Sequence, residues 1–251
     1  MKGKDPYAGF AERYNIFRGK FGKHRPDYRA FFERVFAENG VHSVLDCACG
    51  TGHDLHLFSS LGCAVTGSDI SLSMLARAKI NLKGAGVSVP LCRVDYRALH
   101  KYFNPEFDAV VCLSSSILHM EDKREVIRAL LSMRRVLRQK GVLIMTQGTT
   151  DKQWSMKPRF ILNAREKDLT RLFVIDYAER GARYNVLDIF SEKRTPEIMV
   201  WSVDYKQILL KDDYARLLDL AGYKKTRFYG SYKFEPYSKA RSDILICVAN
   251  K

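Results

Sequence analysis

Over positions 42 to 146 the apolar residues switch repeatedly between short continuous runs and helical stripes. The run His42-Ser43-Val44-Leu45 ends at Asp46 and predicts a first strand at roughly 43–47. A helical pattern follows from about Asp54 to Leu61 and stops at Gly62. Cys63–Ser68 predicts a second strand, after which Ser71 is placed to cap a helix from Leu72 to about Leu82. A third strand is expected near Val89–Val94 and a fourth at Phe107–Leu113. A helix over Lys123–Arg138 is then ended by Gly141, before a fifth strand at Val142–Thr146. Strands alternating with helices predict an α/β, doubly wound, Rossmann-like parallel sheet covered on both faces.

Upstream, the chain from about Tyr7 to Glu38 reads as helical. Its apolar positions 28, 31, 32, 35 and 36 share one helix face, and Asn39-Gly40 supplies the stop. Beyond Thr149 the rhythm changes. Leu172–Tyr177, Tyr184–Phe190 and Ile198–Tyr205 read as strands joined by polar turns such as Glu179-Arg180-Gly181, which predicts an antiparallel β insertion forming a cap. Asp212-Asp213 opens a helix at Tyr214–Leu220, and Phe228–Tyr232 and Asp243–Val248 predict the last strands. The expected organisation is an N-terminal helical cover at 1–40 and a Rossmann-like core at 41–148. A β-rich lid at 149–207 follows, and residues 208–251 complete a seven-stranded sheet, mostly parallel with an antiparallel C-terminal strand.

Composition narrows the class. With 46% hydrophobic residues among 251, the chain can bury a substantial core. No apolar run reaches the roughly 18 residues that cross a bilayer, and Met1-Lys2-Gly3-Lys4-Asp5-Pro6 lacks the apolar stretch of a secretory signal. The six cysteines lie mostly in apolar strand-like runs without zinc-type pairing, so no metal site and reduced thiols in a cytoplasmic protein are expected. A net charge of +14 attracts polyanions, but Lys and Arg are scattered along the chain. The charge leaves nucleic acid open as a partner without favouring it.

The chemistry concentrates at Val44-Leu45-Asp46-Cys47-Ala48-Cys49-Gly50-Thr51-Gly52, followed by Asp69 at the end of the second strand. Glycines without a Cβ let the backbone bend sharply and a ligand lie against it. Asp69 is placed to accept hydrogen bonds from a ribose diol. A dinucleotide fingerprint needs a third glycine three residues after Gly52, and Leu55 stands there.

The motif resembles the cofactor loop of class I S-adenosylmethionine-dependent methyltransferases. Asp69-Ile70-Ser71-Leu72-Ser73-Met74 is similar to the family's second motif, Asp95-Tyr96 closes strand three, and Phe107–Leu113 resembles the fourth strand. Arg135-Val136-Leu137-Arg138-Gln139-Lys140-Gly141 looks like the family's approach to strand five. The resemblance covers about Val44–Thr146. It implies S-adenosylmethionine as cofactor, held by Asp46, Ala48, Cys49, Gly50, Gly52, Asp69, Ile70, Met74, Asp95, Tyr96, Leu113 and Ser114. Asp69 would take the ribose, Asp95 the adenine amino group, and the Leu113 carbonyl the methionine ammonium. Ala48 departs from the commoner glycine.

A narrower likeness is to the glycine N-methyltransferase group, in which Tyr7, Tyr14 and Arg25 would cover the cofactor's methionine end. Gln147-Gly148 stands where that group has an arginine for the glycine carboxylate, and Ser115 replaces an asparagine, which speaks against glycine as substrate. The implied activity is methyl transfer to a nitrogen or oxygen of a small-molecule acceptor by a monomer or homodimer. His119 and Tyr7 are the candidates for handling the acceptor's proton. An RNA or protein methyltransferase is the alternative, and a cofactor-sensing or hydride-transfer protein the third reading. Arg159, Arg165, Arg171, Tyr177, Tyr205, Lys233 and Arg241 are candidate substrate contacts. Lys152–Phe160 reads as a lid with Trp154 and Phe160 tucked beneath it, or else as a base-stacking segment.

Overall fold

The stripe at Tyr28, Phe31, Phe32, Val35 and Phe36 is buried along one side of helix α1 (Pro26–Asn39). Pro26 suits the first turn, whose amide would be unpaired in any case. Gly40 ends the helix at φ 60°, the left-handed conformation that glycine adopts freely. The computed structural model describes residues 5, 7–17, 19–191 and 197–251. Most of the opening stretch read above for a signal (Met1–Lys4 and Pro6) lies outside them. The helical reading of the N-terminus reduces to α1 and one 3-10 turn, Tyr14–Phe17.

Next come β1 (Ser43–Asp46), α2 (His53–Ser60), β2 (Ala64–Asp69), α3 (Leu72–Gly84), β3 (Leu91–Arg93), β4 (Phe107–Cys112), α4 (Lys123–Val136) and β5 (Leu137–Gln147). Ser71 caps α3 as expected, its Oγ accepting the Met74 amide at 3.1 Å. One boundary is corrected. Gly141 does not stop α4, which ends at Val136, and β5 begins at once at Leu137. Gly141 instead serves close packing, since a Cβ there would stand 3.0 Å from the Arg138 carbonyl oxygen.

The insertion holds more than its apolar pattern showed: α5 (Asp151–Met156), β6 (Phe160–Arg165), β7 (Leu169–Tyr177), β8 (Ala182–Phe190) and β9 (Glu197–Tyr205). β6 was missed because it is an edge strand without a buried residue. Phe160 is not tucked beneath a lid but is 62% exposed, whereas Trp154 packs partly buried against the core. The chain closes with α6 (Lys211–Leu220), β10 (Lys224–Tyr229) and β11 (Leu245–Asn250).

The strands form a seven-stranded sheet, ordered β10-β11-β5-β4-β1-β2-β3, and a separate four-stranded sheet, β6-β7-β8-β9. The core pairs are parallel, while β11 runs antiparallel to both β5 and β10. Leu45, Val110 and Leu143 face one layer of core, and Val44, Val111 and Ile144 face the other. Strands buried on both faces have no polar side to show, which explains their continuous apolar runs. Cys47 and Cys49 fall in opposite layers, because β1 ends at Asp46 and the chain turns between the two.

Gly67 on β2 sets how closely α2 lies on the sheet. A Cβ there would meet Leu55 Cδ1 at 2.6 Å and Leu91 Cδ2 at 2.9 Å. Gly67→Ala is expected to lower stability by about 1–3 kcal/mol through overpacking, read as a fall in the urea midpoint at unchanged slope.

Candidate functional site

Beyond β1 and β2 the backbone bends twice through the left-handed region, at Gly50 (φ 51°) and Gly52 (φ 84°). Asp69 bridges the two strand-tip loops. One carboxylate oxygen accepts the Gly50 amide at 2.9 Å and the other the Ser71 amide at 2.9 Å. Burial pushes its carboxyl up, and these backbone donors pull the other way. The Asp46 carboxylate is buried and accepts the Ala48 amide at 3.2 Å, while the Cys49 amide donates to the Ser68 carbonyl at 3.0 Å. Met74 is buried, whereas the neighbouring Ile70 and Leu72 are 46% and 56% exposed. The site therefore offers a cradle without side chains, a carboxylate at the strand tip and an uncovered apolar shelf.

Farther out the expected contacts are less direct. The Asp95 carboxylate is forked by its neighbour Arg97, and these hydrogen bonds hold its carboxyl below the usual range against burial. The Leu113 carbonyl already accepts Ser116 Oγ at 2.7 Å and the Ser116 amide at 3.2 Å. Ser114, at φ 55°, donates its amide to Thr146 Oγ1 at 2.8 Å. The Tyr96 hydroxyl donates to the Ser116 carbonyl at 2.9 Å.

The N-terminal segment crosses over these loops. Asp5 accepts the Ser73 amide at 2.9 Å and the Ser71 and Ser73 hydroxyls at 3.0 and 2.8 Å. The Tyr14 ring stands 3.7 Å from where a Cβ on Gly50 would project. The Tyr7 hydroxyl lies 2.9 Å from His119 Nε2, which brings together two residues 112 positions apart. Burial raises the Tyr7 phenol well above its ordinary value and lowers the His119 imidazole to about 4, so both are neutral near pH 7.

This pair opens on a cavity of about 820 Å³ between the N-terminal segment, the loops after β4 and β5, and the inner face of the second sheet. Alternation along β7, β8 and β9 points Phe173, Tyr184, Val186, Trp201, Val203 and Tyr205 into it. The Tyr184 hydroxyl bonds Thr149 Oγ1 at 2.7 Å and accepts from Gln153 Nε2 at 3.2 Å. At the rim, Lys152 pairs with Asp243 and Arg25 forks onto Asp27. Among the described residues no cluster of His, Cys, Asp or Glu could hold a metal ion, and no helix is long and apolar enough to cross a membrane.

Known proteins agree with this architecture. A family model described as a methyltransferase domain matches residues 44–141. Glycine/sarcosine N-methyltransferase of Aphanothece halophytica is 30% identical over 228 residues, 88% of this chain and 80% of that protein. The chain belongs to the class I S-adenosylmethionine-dependent methyltransferases. The enzyme of the same description from Parasynechococcus marenigrum (strain WH8102) is 37% identical over 123 residues, which span 49% of this methyltransferase and 43% of that enzyme. An S-adenosylmethionine-dependent methyltransferase structure from Clostridium acetobutylicum shares the fold with a TM-score of 0.79 at 15% identity, over 97% of this chain and 98% of its own. The cofactor of this methyltransferase is S-adenosylmethionine.

Of the candidate substrate contacts, the structure brings only Tyr205 to the cavity wall. Arg171 is buried and forks onto Asp188 across the β7–β8 pairing. Arg159 pairs with Asp176 on the surface, and the Tyr177 hydroxyl donates to the Pro158 carbonyl. Arg165, Lys233 and Arg241 lie outside the cavity lining. Sequence reading missed Phe173, Tyr184 and Trp201, although the spacing Trp201-Val203-Tyr205 with Ser202 and Asp204 between marks one apolar strand face.

The low His119 value has a consequence for stability. The unfolded imidazole takes a proton near pH 6.5 and the folded one only at about 4, so stability held above pH 6.5 is lost as pH falls through that window. The loss is up to ~3 kcal/mol, moderated because the ring faces an open cavity. Denaturation midpoints between pH 7 and 4 should fall in the native protein and flatten in His119→Asn.

Proposed function

We propose that this methyltransferase acts in the cytoplasm on a small molecule, at a nitrogen or oxygen held against the Tyr7–His119 pair. The observation that carries the reading is the neutral pair at the wall of an aromatic cavity. The cofactor would lie against Gly50 and Gly52 with its ribose hydroxyls on Asp69 and its adenine on Ile70, while Met74, Asp95 and Tyr96 flank the base. Asp46, Ala48, Cys49, Leu113 and Ser114 would surround its methionine end, with Tyr14 and Arg25 above. Bound there, it supplies an electrophilic methyl group and departs as a neutral thioether.

The chain's own work is positioning. Tyr7 and His119, both uncharged, orient the acceptor so that its lone pair faces the methyl carbon. The proton that the acceptor sheds once the new bond forms passes by way of the pair to solvent, since an imidazole held at about 4 does not retain it. Aromatic rings from the second sheet exclude water, and such alignment supplies roughly 7–11 kcal/mol of the barrier reduction.

The same cavity argues against a small carboxylate as acceptor. Gln147 turns into the core, donating to the Thr149 and Leu209 carbonyls at 2.5 and 2.7 Å and accepting from the Tyr214 hydroxyl at 2.7 Å. Even shared with the cofactor's methionine end, where Tyr14, Arg25 and Ser114 line it, the space leaves room for an acceptor larger than glycine. A neutral-bodied amine or phenol fits it better, and the cover formed by residues 7–17 narrows access for RNA or protein. Six unpaired thiols, four of them buried, favour a reducing compartment.

An S-adenosylhomocysteine-release assay over amines, phenols, amino acids and RNA tests the reading. Bulky amines or phenols should turn over and glycine should not. Tyr7→Phe and His119→Ala should each lower kcat by about 10²-fold or more. Asp69→Ala should weaken S-adenosylmethionine binding by about 10- to 100-fold. Release driven by RNA alone, or an Asp69→Ala variant that binds normally, would overturn the assignment.

A further inference from the structure

A buried charged cluster outside the reaction path joins the N-terminal segment to the second sheet. Arg171 on β7 and Asp188 on β8 are cross-strand partners with no side-chain exposure. Arg171 donates from Nε and Nη2 to the two carboxylate oxygens at 2.5 and 2.8 Å. Arg13, from the N-terminal segment, donates Nη1 to the same carboxylate, and its own carbonyl accepts from Arg171 Nη2 at 3.1 Å. The Arg171 guanidinium lies 4.2 Å from the Phe17 ring centre, and Arg13 lies 5.2 Å from that of Phe10. Phe10 stacks on Trp201 at 4.2 Å, and Trp201 stacks on Tyr7 at 5.2 Å.

We propose that Arg13 and Asp188 are positioning residues: their contact with Arg171 sets how residues 7–17 seat on the β7–β8 hairpin, and thereby holds the Tyr7 hydroxyl on His119. Three features support this. The chain of contacts from Asp188 through Arg13, Phe10 and Trp201 to Tyr7 is continuous. Two guanidinium groups share one carboxylate, and Arg13 Nε and Arg171 Nη1 are buried without a hydrogen-bond partner. A buried ion cluster of that composition gains little net stability, because desolvation offsets attraction, but it is demanding in geometry. The segment is thus directed to one register without being locked down. Such a balance suits a cover that lies over the crevice and must lift for the cofactor to enter and leave.

The proposal stands on geometry and is testable without an acceptor. His119 is faced by Tyr7 from the N-terminal segment and Tyr205 from β9, and burial is the cause of its low value. Freed from Tyr7 and opened to water, it should titrate nearer its ordinary value. We would follow the His119 imidazole by NMR and Trp201 emission in a Trp154→Phe background, comparing native Arg13 with Arg13→Met, Arg13→Lys and Asp188→Asn. The expected result for Arg13→Met and Asp188→Asn is a His119 midpoint raised by about one to two units and a red-shifted Trp201 emission, with Arg13→Lys closer to native. If Asp188→Asn does not fold, Arg13→Met decides the matter. Native His119 titration and Trp201 emission in a folded Arg13→Met protein would overturn the proposal, even with a lowered melting temperature. Shifts in both signals with unaltered methyl transfer would uphold the clamp and remove the Tyr7–His119 pair from the reaction.

Discussion

One carboxylate joins the two loops from which the site is built. Asp69 binds the Gly50 amide with one oxygen and the Ser71 amide with the other. The tips of β1 and β2 are therefore tied together beyond their paired residues, and α3 starts where Ser71 can cap it. Placing a carboxylate among backbone amides at 9% exposure costs desolvation, and the amide donors offset part of that cost. Two bends without side chains leave room beside it, so the residues that fix the loops are also the ones the proposed cofactor placement uses.

The parallel core was legible because each of its elements carries a local signal. Buried strands show as apolar runs, Ser71 stands before its helix, and Asp69 ends its strand. The cavity was much less legible because its wall is assembled from distant segments. Tyr7 and His119 were both suspected singly, yet their contact at 2.9 Å depends on how the N-terminal segment crosses the sheet, which no local pattern encodes. Arg171 shows the reverse failure. A basic residue just ahead of an apolar run reads as a surface or ligand-binding group, but its cross-strand register with Asp188 makes it internal. β6 escaped notice, and Phe160 was misread as covered, because an edge strand without a buried face has no period to detect.

Charge is handled differently on the two sides of the cavity. On the reaction side, the groups nearest the proposed acceptor are uncharged near pH 7, since burial raises Tyr7 and lowers His119. On the far side, Arg171 and Asp188 are sealed from solvent and Arg13 nearly so, with Phe10 and Phe17 against the two guanidinium groups. A neutral wall suits a reaction whose positive charge passes from donor to acceptor, because it does not hold that charge in place. The sealed cluster supplies orientation where aromatic stacking alone would leave residues 7–17 free to slide.

The position of β11 bears on how the chain is made. Residues 245–250 lie between β5 and β10, inside the large sheet and not at its margin. Until that segment leaves the ribosome, the backbone edge of β5 has no neighbour on that side, and β10 has no strand to join. Vectorial synthesis thus leaves the nascent protein with a bare sheet edge until β11 has emerged, a state in which chains pair with one another or recruit chaperones.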